Sequence, residues 1–156
     1  MRYVFDTSPL STLFKNYYPR RFPTLWSQFD ALVQSRAIRS TREVFRELDE
    51  GPVEAARDWA NNNLLVFPPP TAAEGSFVAR IYAVPHFQAN IEQQKLYKGG
   101  RNADPFVIAK ASVDECTVVT LEKMKANAAK IPNICAHFSI PCMSLEEFME
   151  NENWEF

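Results

Sequence analysis

Short apolar runs alternate along the chain with longer segments in which apolar residues recur at helical spacing. The run at 1–5, MRYVF, is typical of a strand, and Ser8 followed by Pro9 predicts the N-cap and first position of a helix. A second helix is predicted over 23–36, where apolar residues repeat every three or four positions, and a short strand over 37–39. A third helix is predicted from Ser40, with Glu43 as its capping-box partner, up to Gly51.

The same alternation continues in the second half of the chain. The sequence predicts a helix over 52–62, a buried strand over 64–67 and a long helical stretch over 71–97, interrupted at Pro85. Another helix follows Asp104, and CTVVT at 116–120 is a strong strand prediction. A last strand is predicted at 141–143, before a helix from Ser144. Alternating strands and helices indicate an α/β fold with a parallel sheet covered on both faces.

Length, composition and charge narrow the class of protein. A chain of 156 residues, 46% hydrophobic and 23% charged, is expected to fold as one domain with its own core. No apolar run approaches the ~18 residues of a membrane span, so no membrane partner is expected. Three cysteines, in a chain whose start does not resemble a signal peptide, favour free thiols and the cytoplasm. A net charge of −2 means that nucleic acid would be held by local patches or by metal ions.

Four carboxylates fall where the ends of parallel strands and the starts of helices are expected to meet. Asp6 follows the first strand and Glu122 follows the CTVVT strand, whereas Glu47 and Asp104 lie near the starts of helices. Carboxylates in close proximity raise each other's pKa unless a divalent cation lies among them. Sites rich in oxygen ligands select Mg²⁺ or Mn²⁺, which can polarise a phosphodiester and activate water.

The segments that carry these acids resemble the four successive motifs of the PIN-domain ribonucleases. They are DTS at 6–8, STREVFREL at 40–48, DPFVIA at 104–109 and VVTLE at 118–122. The chain is most similar to the VapC-like toxins of type II toxin–antitoxin modules, in a little-characterised branch. The resemblance implies a single three-layer α/β/α PIN-like domain over 1–156, with a central, mostly parallel sheet of about four to five strands. The stretch 71–97 is larger than a minimal toxin needs, and 144–156 is expected to form an acidic helix and tail.

The same resemblance implies a metal-dependent endoribonuclease that leaves 5′-phosphate and 3′-hydroxyl ends without a side-chain nucleophile. Mg²⁺ or Mn²⁺ would be held by the four acids Asp6, Glu47, Asp104 and Glu122. Thr120, together with Ser8 or Thr7, would orient the carboxylates or the scissile phosphate. Glu122 departs from many relatives, which carry Asp at this position.

Each of the four acids has an alternative interpretation, and Asp6 could simply form the turn after the first strand. Glu43 and Glu47 stand four residues apart on one helical face, and the predicted capping box assigns Glu43 to structure and Glu47 to the metal. Asp104 directly precedes Pro105, which is a favourable arrangement for an N-cap. Glu122 could equally be a solvated acid after a strand.

Two basic segments predict contacts with RNA. The stretch 14–22 combines Lys15, Arg20 and Arg21 with four aromatic residues, and Lys98 and Arg101 lie in a second acid-free stretch before Asp104. Positive charge and apolar surface beside the acids would also suit an acidic amphipathic segment. The resemblance accordingly implies a cognate antitoxin protein, and a homodimer is expected from it as well.

Two other functions stay open at the level of sequence. One is a catalytically inactive PIN-like module that binds RNA or protein. The other is a phosphohydrolase of the haloacid-dehalogenase type, which also begins with a strand and Asp but needs a second acid where this chain has Ser8. Cys135, His137 and Cys142 lack the spacing of a zinc site and are predicted to pack in the core.

Overall fold

The structure, a computed structural model, describes residues 1–91 and 102–156. Within these residues four strands form one sheet in the order β2-β1-β3-β4, and every neighbouring pair is parallel. The strands are β1 (Tyr3–Phe5), β2 (Ile38–Arg39), β3 (Thr117–Val119) and β4 (Cys142–Met143). The predicted α/β fold with a parallel central sheet is therefore confirmed.

Helices connect the strands across both faces of the sheet. In chain order they are α1 (Thr7–Asn16), α2 (Pro23–Gln34), α3 (Arg42–Asp49), α4 (Glu54–Asn62), α5 (Ala72–Tyr82), α6 (Asp104–Asp114), α7 (Ile131–His137) and α8 (Leu145–Asn151). Since β2 and β3 lie on opposite sides of β1, right-handed crossovers place their helices on opposite faces. Accordingly α2 packs near β2, whereas α6 packs against β1, β3 and α7.

Aromatic side chains fill the space between the sheet and the helices on one face. Tyr3 and Phe5 point to the same side of β1, and both meet the ring of Phe148 on α8 edge-to-face, at centroid distances of 4.7 and 5.0 Å. Phe5 also contacts Phe29 on α2. All four rings are fully buried, so β1 is held firmly between its neighbours.

The predicted strand over 64–67 is wrong. Leu64–Val66 forms a 3₁₀ turn in which Leu64 and Leu65 are 58% and 93% exposed, whereas Val66 is buried. This segment pairs with none of the four strands β1–β4 of the sheet, and the prolines that follow at 68–70 have no N–H to donate to a strand ladder. The carbonyl of Val66 instead accepts one backbone hydrogen bond, from the N–H of Ser40.

Two predicted helix starts are also wrong. Helix α1 begins at Thr7 rather than after Ser8, so Asp6 occupies the N-cap position, although its side chain makes no capping hydrogen bond. Helix α3 has Thr41 as its N-cap, with Oγ1 accepting from the N–H of Val44. The hydroxyl of Ser40 instead donates to the carbonyl of Phe5 in β1, at 2.7 Å.

No helix within residues 1–91 and 102–156 combines the length and the apolar composition needed to cross a bilayer.

Candidate active site

The four predicted acids lie around the carboxyl edge of the sheet. Asp6 directly follows β1, and Glu122 comes shortly after β3. Helix α6 runs back towards the start of β3, so Asp104, its first residue, also stands at the carboxyl edge. Glu47 lies on α3, the helix that follows β2.

Thr120 connects Asp6 with Glu122. Its hydroxyl donates to Oδ2 of Asp6 at 3.0 Å and accepts from the backbone N–H of Glu122 at 3.1 Å. The backbone N–H of Asp6 donates to the carbonyl of Val119, so the strand ladder fixes both ends of this contact. Asp6 and Thr120 are buried, and a buried carboxylate is stabilised by such donors.

Thr7, the residue after Asp6, contacts Glu47. The Thr7 hydroxyl donates to Oε1 of Glu47 at 2.6 Å, which joins the first turn of α1 to α3. Glu43, the competing acid, instead meets the guanidinium of Arg42 at 3.2 Å. The capping box that separated these two glutamates is absent, yet Glu47 is the one that contacts Thr7, the residue after Asp6. Ser8 has a buried Oγ with no hydrogen-bond partner among the described residues.

Asp104 is fully buried and is held by two asparagines. Nδ2 of Asn90 donates to Oδ2 of Asp104 at 3.0 Å, and the backbone N–H of Asp104 donates to Oδ1 of Asn102 at 3.2 Å. The N-cap of α6 is Ala103, so the predicted capping role of Asp104 is wrong. Burial raises the pKa of the Tyr82 hydroxyl, and the charge of Asp104 raises it further.

Asn90 and Thr7 hold acids that the sequence had assigned to the site. Sequence reasoning missed Asn90 entirely and gave Thr7 only as an alternative to Ser8. The one local signal for Asn90 is its spacing: it follows the buried Phe87 by three residues, on the apolar face of a helical segment.

Glu122 holds the start of the helix α7. Its Oε2 accepts from the backbone N–H of Ile131, the first residue of that helix, at 2.8 Å. A carboxylate at this position satisfies an N–H that has no partner within the helix and interacts favourably with the helix dipole. Glu122 therefore makes a structural contact in addition to any role at the candidate site. The nearby Cys135 thiol has a raised pKa, because it is hydrogen-bonded to Cys142 and buried.

The first basic segment presents its cations to solvent and most of its rings to the core. Lys15, Arg20 and Arg21 are exposed, and Tyr18 is 59% exposed. Of the other three aromatic side chains of 14–22, Phe14 is buried in the core, whereas Tyr17 and Phe22 are partly buried against it. Lys98 and Arg101 lie outside the described residues.

The donor set suits Mg²⁺ or Mn²⁺ in its chemistry. Carboxylate oxygens are the ligands these ions prefer, and Mg²⁺ commonly uses only one or two of them and retains water for the rest. No group of three or more His, Cys, Asp and Glu side chains in residues 1–91 and 102–156 is arranged to hold a metal ion. The described residues thus fit an ion that is bound by one or two carboxylates and retains water as its other ligands, rather than one surrounded by protein ligands.

Comparisons with known proteins agree with this fold. A family model described as a domain of unknown function, DUF4411, matches residues 3–156. No curated protein matches the chain. A similar solved structure is the crystal structure of VapBC2 from Rickettsia felis bound to a DNA fragment from their promoter, with 15% identity and a TM-score of 0.50. The match covers 92% of this chain and 98% of that one, and it confirms the predicted VapC-like PIN fold.

Proposed function

This chain belongs to the DUF4411 family and has a VapC-like PIN fold, and from this premise we propose that it is a metal-dependent endoribonuclease, the toxin of a toxin–antitoxin module. One observation carries the proposal. Asp6 and Asp104 are 4% and 0% exposed at the same edge of the sheet, and a neutral side chain donates to each of them. Buried carboxylates are costly, and they cluster at functional sites because their charge is used there.

Mg²⁺ or Mn²⁺, when bound, would act as a Lewis acid on the phosphodiester and on water. Asp6, Glu47 and Asp104 are the residues we propose to hold it, one or two of them at a time with water as the remaining ligands, and Glu122 would assist from its place beside α7. Thr120 and Thr7 orient the carboxylates of Asp6 and Glu47 through their hydroxyls. No side-chain nucleophile is required.

RNA binding is proposed for the exposed cations Lys15, Arg20 and Arg21, with Lys98 and Arg101 from the second basic segment. Cations at these positions would contact phosphates and position the strand without reading its sequence. Tyr18 offers an exposed ring on which a base could stack. Substrate binding in this form depends on charge and is expected to weaken as the salt concentration rises.

Incubation of the purified protein with single-stranded RNA tests the proposed activity. Cleavage is expected with Mn²⁺ or Mg²⁺ and is expected to stop on addition of EDTA, because the carboxylates alone cannot activate water. End-group analysis is expected to find 5′-phosphate and 3′-hydroxyl ends. A protein that binds RNA without cutting it in any divalent metal would be an inactive PIN-like module instead.

The toxin assignment rests on the similarity to VapBC2 and has its own test. An acidic amphipathic segment of an antitoxin would match the exposed cations Lys15, Arg20 and Arg21 and compete with RNA for them. Expression of the chain alone is expected to arrest growth. Co-expression with the product of the adjacent reading frame is expected to restore growth, and that product is expected to copurify with the chain. Harmless expression with no copurifying neighbour would contradict the toxin assignment but leave the nuclease assay unaffected.

A further inference from the structure

Asn90 is a buried amide whose hydrogen-bonding groups are all used. It is 2% exposed, and its Nδ2 donates both to Oδ2 of Asp104 and to the carbonyl of Ala129, each at 3.0 Å. Its Oδ1 accepts from Nδ2 of Asn102 at 2.6 Å. With two donors and one acceptor engaged, the amide has a single orientation.

These contacts join three separate parts of the chain at Asp104. Asn90 belongs to a helical segment, Asn102 precedes α6, and Ala129 precedes α7. Asn102 extends the network to the hydroxyl of Tyr82 on α5, at 3.0 Å. Asn90 thus contacts the carboxylate of Asp104 and Asn102 its backbone N–H, both from outside α6.

The chemistry of the donor is informative. A Lys or Arg in this place would neutralise the carboxylate and compete with a cation for it, whereas an Asp or Glu would repel it. As a neutral amide, Asn90 orients the carboxylate without itself neutralising the negative charge. Such neutral partners of metal ligands fix ligand orientation and tune affinity for the metal.

We propose that Asn90 is a positioning residue, which holds the carboxylate of Asp104 in the orientation needed to bind the divalent cation. The inference rests on the proposed function, because it assigns a role within the same site. Asn90 does not touch the substrate and acts only through Asp104. It is expected to affect metal affinity and rate together, and to leave the KM for RNA unchanged.

Direct titration with Mn²⁺ in the absence of RNA tests this role. The substitution Asn90→Ala is expected to weaken Mn²⁺ binding by roughly 10–100-fold and to lower kcat by a similar factor, as is typical when a partner of a metal ligand is lost. In the Asp104→Ala background the same substitution is expected to add no further loss, because the residue it positions is gone. Asn63→Ala is the matched control, since its amide also donates to a backbone carbonyl, that of Trp59, and it lines a separate pocket with Arg39 and Lys110 that includes none of the four acids.

A second readout needs no metal. The side-chain amide protons of Asn90 are expected to exchange slowly with solvent in the metal-free protein, and Asp104→Ala is expected to accelerate the exchange of one of them. Wild-type Mn²⁺ affinity in Asn90→Ala, with only a lower Tm, would overturn the proposal and leave Asn90 a structural residue. Failure of the proposed function has a different signature: the wild-type protein then neither binds Mn²⁺ nor cuts RNA, and the role of Asn90 at a metal site falls with it.

Discussion

Replacement of either Asp6 or Asp104 by Asn is expected to lower the rate of RNA cleavage by about two orders of magnitude or more, because each change removes a charged metal ligand. The fold is expected to survive. Asn retains the size of Asp and an oxygen that can accept the hydrogen bond donated by Thr120 at position 6 or by Asn90 at position 104. Measured values of kcat/KM with Mn²⁺, together with Tm, separate lost chemistry from lost structure.

Glu122→Gln provides the comparison for these variants. The amide keeps an oxygen for the N–H of Ile131, so α7 remains capped, and only the charge at Glu122 is lost. If Glu122 only assists, the rate of RNA cleavage by Glu122→Gln is expected to fall less than the rate of either aspartate variant. Full activity in both Asp6→Asn and Asp104→Asn would refute the proposed site.

Glu47→Gln is expected to abolish cleavage with little change in Tm, whereas Glu43→Ala is expected to leave cleavage intact. The hydroxyl of Thr7, the residue after Asp6, donates to Glu47, while Glu43 meets the half-exposed Arg42 in the first turn of α3. Loss of an acid at a helix start typically costs about 0.3–1 kcal/mol of stability, which is the effect expected for Glu43→Ala. Cleavage assays and thermal unfolding of the two variants side by side measure both effects.

The opposite pattern would show that the second acid of the site is Glu43. In that case Glu43→Ala would lose activity while Glu47→Gln retained it. A loss in both variants would mean that the face of α3 as a whole is needed, and the pairing of Thr7 with Glu47 would not identify the ligand.

The sheet was predictable because its strands are short runs of apolar residues. Tyr3–Phe5 and Thr117–Val119 are buried on both faces, and a parallel sheet covered by helices requires such runs. The run at 64–67 has the same composition, and only its tertiary setting distinguishes it. The segment 64–67 is followed by prolines and lies beside Ser40, where it forms a turn. Leu64 and Leu65 are exposed in that turn.

Helix starts were less predictable, because adjacent hydroxyl and carboxylate residues are locally equivalent as caps. Ser40 and Thr41 could each cap α3, and a long-range contact decides between them: Ser40 donates to β1, so Thr41 caps the helix. Asp6 likewise accepts from Thr120 instead of capping α1. Tertiary hydrogen bonds override local preference at these positions.

The acids of the candidate site could be predicted from the sequence, but the residues that hydrogen-bond to them could not. Asp6 and Glu122 follow apolar strands, and that pattern is visible in one sequence. Asn90 lies 14 residues from Asp104 and 39 from Ala129, so no local pattern reveals their contact. The capping contact of Glu122 with α7 is also invisible until the loop between them is folded.

The hydrogen bond between Thr120 and Asp6 joins residues that are 114 positions apart. A ribosome adds about 5–20 residues per second, so roughly 6–23 s separate the synthesis of the two partners. Packing of Phe148 on Tyr3 and Phe5 comes later still. Until β3 is synthesised, the nascent chain therefore carries Asp6 without the strand that fixes it, and the packing around β1 is complete only after α8 has followed.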